Sequence, residues 1–142
     1  MNKALSYLGL ARKAGLLEIG EENTGAALRW GKAKLVLLAS DASENARHRA
    51  EGFLQGKNTP CVTLPFTKDE ISAETGKNGC SMAAFTDIGF AHSFVKALAG
   101  DGEEYAEVLE QVSQMKERAA QRRQEAKKHE MNKKFGKRRK NV

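Results

Sequence analysis

The sequence predicts an α/β protein: a three-layer α/β/α sandwich with a mixed sheet of about four strands, followed by a long C-terminal helix and a basic tail. Two observations lead to this fold class. Short apolar runs typical of strands alternate along residues 1–99 with segments whose apolar residues fall at helical spacing. From residue 103 to Gly136 the chain then has no glycine or proline, and apolar residues recur on one helical face.

The first two helices and strands follow from apolar spacing and from glycines. Apolar residues predict a first helix, which Gly15 ends because glycine adopts the left-handed cap conformation at little cost. Residues 17–19 follow as a short strand. Gly20 opens a second helix, and Gly31 stops it. Residues 34–39 are almost wholly aliphatic and too few for a helix, so they form a central strand covered on both faces.

Polar capping residues mark the next two helices. Asp41 or Ser43 caps a third helix. Residues 60–64 then form a strand with proline at its first position, where the missing N–H is tolerated. Thr67 begins a fourth helix, because Glu70 stands three residues later, which is the spacing of a capping box.

The remaining elements set the domain boundaries. Residues 81–85 form a fourth strand, and Asp87 caps a fifth helix. We place an α/β/α domain at residues 1–99, a hinge at 100–102, and a helical, strongly basic C-terminal extension at 103–142. The apolar stripe of the extension is expected to pack on its own domain or on a partner helix rather than on a membrane.

The positive charge is concentrated in the tail. The net charge is +6, but ten basic and two acidic residues from Arg122 onward contribute +8 and leave −2 for residues 1–121. Clustered basic residues with Phe135 among them are typical of a nucleic-acid arm, although basic tails are also common as solvated ends. Beyond Met131 the composition is too polar to fold alone. The tail residues predicted to make non-specific contact are Arg122, Arg123, Lys127, Lys128, Lys133, Lys134, Lys137, Arg138, Arg139 and Lys140.

Several functional classes do not fit this sequence. No apolar run approaches the ~20 residues of a membrane span, and the start lacks a secretory apolar region, so we expect a soluble, cytoplasmic protein without a membrane partner. Cys61 and Cys80 lack the paired spacing of a zinc or redox site and are interpreted as reduced core residues. No histidine stands near a nucleophile elbow or a metal-ligand pair. We therefore predict no catalytic residue, no metal, no cofactor and no enzymatic activity.

The segment from Gly20 to Asp41 carries a family resemblance. A glycine opens a short helix, a second glycine follows at Gly31, and an Ala-Lys-Leu-Val strand ends in Ser-Asp. This pattern, with further matches at residues 41–45 and 85–91, resembles the kink-turn-binding ribosomal protein superfamily of archaeal L7Ae and eukaryotic L30e. Within that superfamily it is nearest to the bacterial YlxQ-type proteins. The resemblance does not cover the tail.

The resemblance implies an RNA-binding face at the start of the second helix. Family members typically read G·A pairs there through an asparagine, a glutamate and a lysine, and these positions fall on Glu22, Asn23 and Ala26. An amide is retained, but Ala26 offers no donor to a guanine. The competing interpretation is that the acidic residues merely favour the helix dipole and that Lys77 lies in a solvated turn. The residues predicted to contact RNA are Gly20, Glu22, Asn23, Ala26, Arg29, Lys32, Lys34, Asp41, Lys77, Asn78 and Gly79.

These observations predict a non-enzymatic RNA-binding protein, ribosomal or ribosome-associated, that contacts structured, kink-turn-like RNA. The expected partners are structured RNA, above all ribosomal RNA, together with ribosomal or translation-factor proteins. The alternative is a protein–protein adaptor of the same fold that no longer reads kink turns, because an acidic helix start suits a basic partner.

Overall fold

The computed structural model describes residues 3–78, 80–100 and 103–140, with side chains as far as residue 132. Helices and strands alternate through most of these ranges. In chain order the elements are α1 (Lys3–Lys13), β1 (Leu17–Ile19), α2 (Glu21–Arg29), β2 (Leu35–Leu38), α3 (Glu44–Leu54), β3 (Cys61–Thr63), α4 (Lys68–Thr75), β4 (Met82–Phe85), α5 (Ile88–Ala99) and α6 (Ala106–Lys140).

The strands form one mixed sheet in the order β1-β4-β2-β3. β4 runs antiparallel to both β1 and β2, whereas β2 and β3 are parallel. Phe85 pairs with Leu17 on one side and with Leu35 on the other. The predicted mixed sheet is confirmed, and β2 lies inside it, as its aliphatic run indicated.

The inner strands separate two apolar cores, one on each face of the sheet. Leu35 and Leu37 of β2 join the larger core, which α1, α4, α5 and α6 cover. Val36 and Leu38 join the smaller core beneath α2 and α3. Successive residues of a strand point to opposite faces, so all four positions of β2 are buried only because both faces are covered. The predicted three-layer sandwich is confirmed.

Hydrogen bonds confirm the predicted helix starts. The Ser43 hydroxyl accepts from the third N–H of α3 at 3.1 Å, and Asp87 accepts from the third N–H of α5 at 2.9 Å. Thr67 and Glu70 form the complete capping box. Asp41, the other candidate cap for α3, instead accepts from the first N–H of α4 at 2.9 Å. It therefore ties the end of β2 to α4, a contact between segments far apart in sequence.

The first half of α6 packs on the domain. Val108 and Val112 are buried in the larger core, and Met115 and Ala119 pack against it. The apolar stripe thus covers its own domain, which was one of the two predicted arrangements. No helix in the described ranges is both long and apolar enough to cross a membrane.

The second half of α6 extends beyond the core. The helix runs to Lys140 through Gly136 and past Met131, where the composition predicted no independent folding. Its sequence consists largely of strong helix formers, which favour a helix even without a core to pack on. Asp101 and Gly102 of the predicted hinge lie outside the described residues, and the division of the chain at that hinge stays a prediction.

A substitution at Gly25 of α2 tests how closely α2 and α3 pack on their face of the sheet. A Cβ at Gly25 would stand 3.0 Å from two ring atoms of Phe53 on α3. We expect Gly25→Ala to lower the free energy of unfolding by about 1 kcal/mol, because overpacking costs about 1–3 kcal/mol and helix propensity returns about 1 kcal/mol. Urea unfolding followed by circular dichroism measures the difference.

Gly52→Ala is the matched control, because Gly52 is also helical but a Cβ there would meet nothing within 4 Å. The same propensity gain should raise its free energy of unfolding by about 0.5–1 kcal/mol. If both variants were stabilised equally, the close approach of α2 to Phe53 would be contradicted.

Candidate nucleic-acid interface

The ends of three strands meet at one edge of the sheet. Because β4 is antiparallel to β1 and β2, its start lies beside their ends. The Gly20 N–H donates to the carbonyl oxygen of the first residue of β4 at 2.9 Å, and the Ala39 N–H donates to that of the preceding residue at 3.0 Å. We call residues 19–23, 39–41 and 81–82 the α2 edge, after the helix that starts there.

The backbone at the start of α2 is open to an acceptor. Gly20 is the N-cap residue, and its φ of 102° is one that residues with a Cβ rarely adopt. No described side chain caps this end, so the N–H groups of the first turn lack a side-chain acceptor. The helix dipole adds partial positive charge at the same place. An anionic group of a ligand would therefore be stabilised here.

An open cavity of about 430 Å³ lies against this helix start and is lined by residues 19–23 and Ser81. The Asn23 side chain is exposed, and its Nδ2 donates to the Ile19 carbonyl oxygen at 2.9 Å. This bond holds the amide at the end of β1 and leaves Oδ1 to accept from a ligand. The cavity thus combines free backbone donors with an oriented side-chain acceptor.

The two glutamates of the helix start differ in their surroundings. Glu21 forms an ion pair with Arg49 of α3, and its side chain is only 29% exposed. Glu22 is exposed and forms no ion pair with any described residue. The negative charge presented to a ligand in this cavity is therefore chiefly that of Glu22.

The loop between α4 and β4 leads into the α2 edge. Gly76 ends α4 in the left-handed conformation, with φ 71°. The buried Cys80 thiol donates to the Lys77 carbonyl oxygen at 3.1 Å, which holds the turn together. Lys77 and Asn78 are exposed, so their side chains are accessible. Gly79, the remaining predicted contact in this loop, lies outside the described residues.

Comparison with known proteins identifies the family. The family model for Ribosomal protein L7Ae/L30e/S12e/Gadd45 matches residues 2–95 of this chain. The chain belongs to this family. The matched residues include the α2 edge and the loop that leads into it, and they end before α6. The family predicted from the segment at Gly20 is confirmed.

Individual relatives agree with this assignment. "RNA-binding protein YlxQ" of Enterococcus faecium is 38% identical over 98 residues, which cover 69% of this chain and 93% of the relative. "Large ribosomal subunit protein eL8" of Haloquadratum walsbyi is 37% identical over 106 residues, which cover 71% and 85%. A solved structure of a protein of unknown function from Bacillus halodurans superimposes with a TM-score of 0.63 at 26% identity, covering 69% of this chain and 98% of that one.

Three predicted contacts of this family member lie at the other end of α2. Arg29 is exposed in the last turn of α2 and Lys32 is exposed just after the helix, about 13 Å from Gly20 along nine residues of helix. The Lys34 N–H donates to the Phe85 carbonyl oxygen at 2.7 Å, at the opposite edge of the sheet. The structure therefore divides the predicted site into two groups of residues.

The predicted contacts along α2 do not form one continuous exposed surface. Glu22 and Arg29 are exposed and Ala26 is half-buried, whereas Gly25 between them is buried against Phe53. Residues three and four apart span a broad arc of the helix, and α3 covers part of it.

Four of the residues predicted to form a basic RNA-contacting tail have described side chains, and their contact with RNA stays a prediction. Arg122, Arg123, Lys127 and Lys128 are exposed on α6. The side chains of the six predicted tail residues from Lys133 onward lie outside the described residues. Sequence reasoning missed two further cations, Lys57 and Arg118, which the fold brings to the edge that holds Lys34. The only sequence signal was the position of Arg118 beside the apolar stripe of α6.

The cysteine prediction was half wrong. Cys80 is buried, as predicted, but Cys61 is exposed. β3 is an edge strand on which Val62 points inward and its neighbours point outward, so the apolar context misled the prediction. Within the described residues no group of three or more His, Cys, Asp and Glu side chains could hold a metal ion.

The alkylation rate of Cys61 tests whether this exposed residue also has a reactive thiol. Burial around the sulfur raises the pKa of Cys61 from 9.0 to about 11, the nearby Arg47 opposing and Glu51 adding to the effect. At pH 8 the thiolate fraction is then about 100-fold lower than for a thiol of ordinary pKa. A more basic thiolate is more nucleophilic, which raises the reaction rate about tenfold and offsets part of this loss. We expect iodoacetamide to modify Cys61 about tenfold more slowly than N-acetylcysteine, as followed by mass spectrometry.

Cys61→Ser is the control, because it leaves only the buried Cys80 and should remove the modification in the native protein. The rate for Cys61 should rise with pH up to about 11, since the raised pKa keeps the thiol protonated below it. Modification at the rate of the free thiol would contradict the enclosed environment of the sulfur.

Proposed function

We propose that this chain is a non-enzymatic, cytoplasmic RNA-binding protein of the ribosome or its assembly, which contacts structured RNA through the α2 edge. Membership of the L7Ae/L30e/S12e/Gadd45 family supports the proposal, as do relatives described as RNA-binding and ribosomal. The observation that carries it is the uncapped start of α2 beside the cavity that Asn23 lines. Ribosomal RNA is the partner we propose.

The chemistry of the α2 edge suits a folded RNA. Gly20 lets a ligand backbone approach, since nothing lies within 4 Å of a Cβ built there. The free N–H groups of the first turn bind a phosphate or a base acceptor. The Asn23 Oδ1 accepts from the exocyclic amine of a base. Phosphate contacts position the RNA, and the amide supplies the base readout.

Recognition of a kink turn would depend on three neighbouring positions. Asn23 supplies an exposed amide, whereas Glu22 can only accept hydrogen bonds when ionised and Ala26 is half-buried without a polar group. A guanine would lose the donor that a lysine at position 26 would provide. We therefore propose kink-turn-like RNA as the ligand, with weaker discrimination than a site that contains this lysine.

Basic residues outside the α2 edge would add affinity without sequence readout. Lys77 in the adjoining loop and the exposed cations of α6, which include Arg123 and Lys127, would neutralise phosphates. We propose that residues 103–142 act in this way as an extension of the domain at residues 1–99. Their contribution would fall steeply with salt.

An adaptor that binds a basic protein segment is the second candidate. The observation that favours it is the exposed carboxylate of Glu22, which lines the cavity, forms no ion pair with a described residue and repels phosphate. The RNA proposal is preferred because the ion pair with Arg49 compensates the other glutamate, Glu21.

Asn23→Ala tests base readout at the α2 edge. We expect it to weaken binding of a kink-turn oligonucleotide by about 2- to 12-fold, because the one hydrogen bond that Oδ1 accepts contributes about 0.5–1.5 kcal/mol. Lys77→Ala should instead reduce the slope of log K against log salt by about 1, because it removes a phosphate contact. Filter binding at several salt concentrations separates the two effects.

Lys13→Ala is the matched charge control, because Lys13 is exposed at the end of α1, before β1 starts at the opposite edge of the sheet. It should change the affinity little. An unchanged affinity in both Asn23→Ala and Lys77→Ala would rule out the α2 edge, and a wild-type protein that retained no RNA at low salt would favour the adaptor.

Ala26→Lys tests whether one missing donor limits recognition of a kink turn. We expect it to raise the affinity for a kink-turn oligonucleotide by about tenfold, and to leave binding to a straight duplex within about threefold, because a base contact discriminates and a phosphate contact does not. Ala26→Gln, a neutral donor of similar length, shows how much of the gain is charge. Equal gains on both RNAs would mean that position 26 does not face the bases.

A further inference from the structure

A second cavity lies at the end of the sheet opposite the α2 edge. It measures about 340 Å³, within the ~300–1,000 Å³ typical of ligand sites, and it lies between the turn after α2, the segment before β3 and one face of α6. Buried Leu28 and the apolar stripe residues Met115 and Ala119 contribute apolar walls. We call this cavity the α6 groove. It exists only because α6 packs on the domain.

The charge around the α6 groove is of one sign. Lys34, Lys57, Arg118 and Arg122 line it, and no acidic residue is among the described residues that do so. None of these four cations forms an ion pair with another described residue. Like charges gathered around one cavity repel each other, and a bound polyanion removes that repulsion. Charge complementarity therefore points to a ligand that carries several negative charges.

An exposed aromatic side chain adjoins the groove. Trp30, the only tryptophan of the chain, is 74% exposed and immediately precedes Gly31, which lines the groove. Arg29 and Lys32, which flank Trp30 and Gly31 in the sequence, are exposed as well. Cations combined with an exposed aromatic ring are the means by which proteins bind single-stranded nucleic acid, since phosphates meet the cations and an unpaired base stacks on the ring.

We propose that the α6 groove binds a single-stranded segment of RNA, with phosphates on Arg118 and Arg122 and an unstacked base on Trp30. The proposal rests on the proposed function for its class of ligand, but it concerns a different surface and a different RNA structure. Arg118 and Arg122 lie one turn apart, about 6 Å along the helix, so they meet successive parts of one strand.

An acidic protein segment is the competing occupant of a basic groove. It would satisfy the four cations but would leave the large exposed surface of Trp30 without a stacking partner. The combination of Trp30 with the cations therefore favours RNA over an acidic peptide.

The fluorescence of Trp30 reports directly on this groove. We expect a uridine-only RNA of about 12 nucleotides to quench it saturably in the full-length protein, because a base stacks on the ring. Arg118→Gln/Arg122→Gln should weaken this binding about 25-fold at about 0.1 M salt and reduce the salt slope by about 1.4, since each phosphate contact of a single strand contributes about 0.7. Trp30→Ala, followed with labelled RNA, should weaken it about fivefold or more.

Lys96→Gln/Lys116→Gln is the matched control, because it removes the same charge from exposed positions of α5 and α6 that do not line the groove. It should weaken binding much less than the groove variant. Equal losses in the two double variants would overturn the proposal, since the effect would then follow net charge. Polyglutamate that quenches Trp30 and competes with the RNA equally well would also overturn it, in favour of an acidic protein partner.

A kink-turn oligonucleotide with the Asn23→Ala variant, measured in parallel, separates this proposal from the proposed function. If Asn23→Ala weakens kink-turn binding while the single strand neither quenches Trp30 nor depends on Arg118 and Arg122, the α6 groove is refuted and the α2 edge stands. If neither RNA binds, both proposals fail.

Discussion

The position of β4 between β1 and β2 is the constraint on which the rest of the structure depends. Its residues alternate between the two cores, with Ala83 and Phe85 in the larger one and Met82 and Ala84 in the smaller one. The antiparallel pairing also sets the start of β4 beside the ends of its neighbours. The bond from the Gly20 N–H to β4 follows from this pairing, and it fixes where α2 begins. Core packing and site geometry thus have one origin.

The same arrangement gives the molecule two chemically different ends. At one end α2 begins with free backbone donors and an oriented amide. The ion pair with Arg49 compensates the negative charge of Glu21 at this end. At the other end α2 finishes next to cations from three separate segments, among them Lys57 and Arg118. A side-chain amide can discriminate between bases, whereas clustered cations attract any polyanion within about a Debye length. We propose that the two ends contact different parts of one RNA.

Local signals predicted most of the fold because their causes are local. The capping residues Ser43, Thr67 and Asp87 act within one helical turn, and all three cap as predicted. Contacts with distant segments decided the rest. Asp41, the alternative cap for α3, bonds to α4 instead. Cys61 was wrongly predicted to be in the core: it points outward because Val62, its neighbour on the edge strand β3, points inward. Such choices depend on contacts that no sequence window contains.

The sequence by itself determined the order of helices and strands, the layered α/β architecture, the family and the position of the α2 start, since glycine placement, capping and apolar period are properties of neighbouring residues. Only the tertiary structure decided which residues share a surface. In the folded protein Gly25 is buried against Phe53, and Lys34 lies at the opposite end of the sheet from Asn23. The helix α6 packs on the domain and so forms a groove. The physical reason is that burial and charge clustering are set by packing between elements, and packing joins residues that the chain keeps far apart.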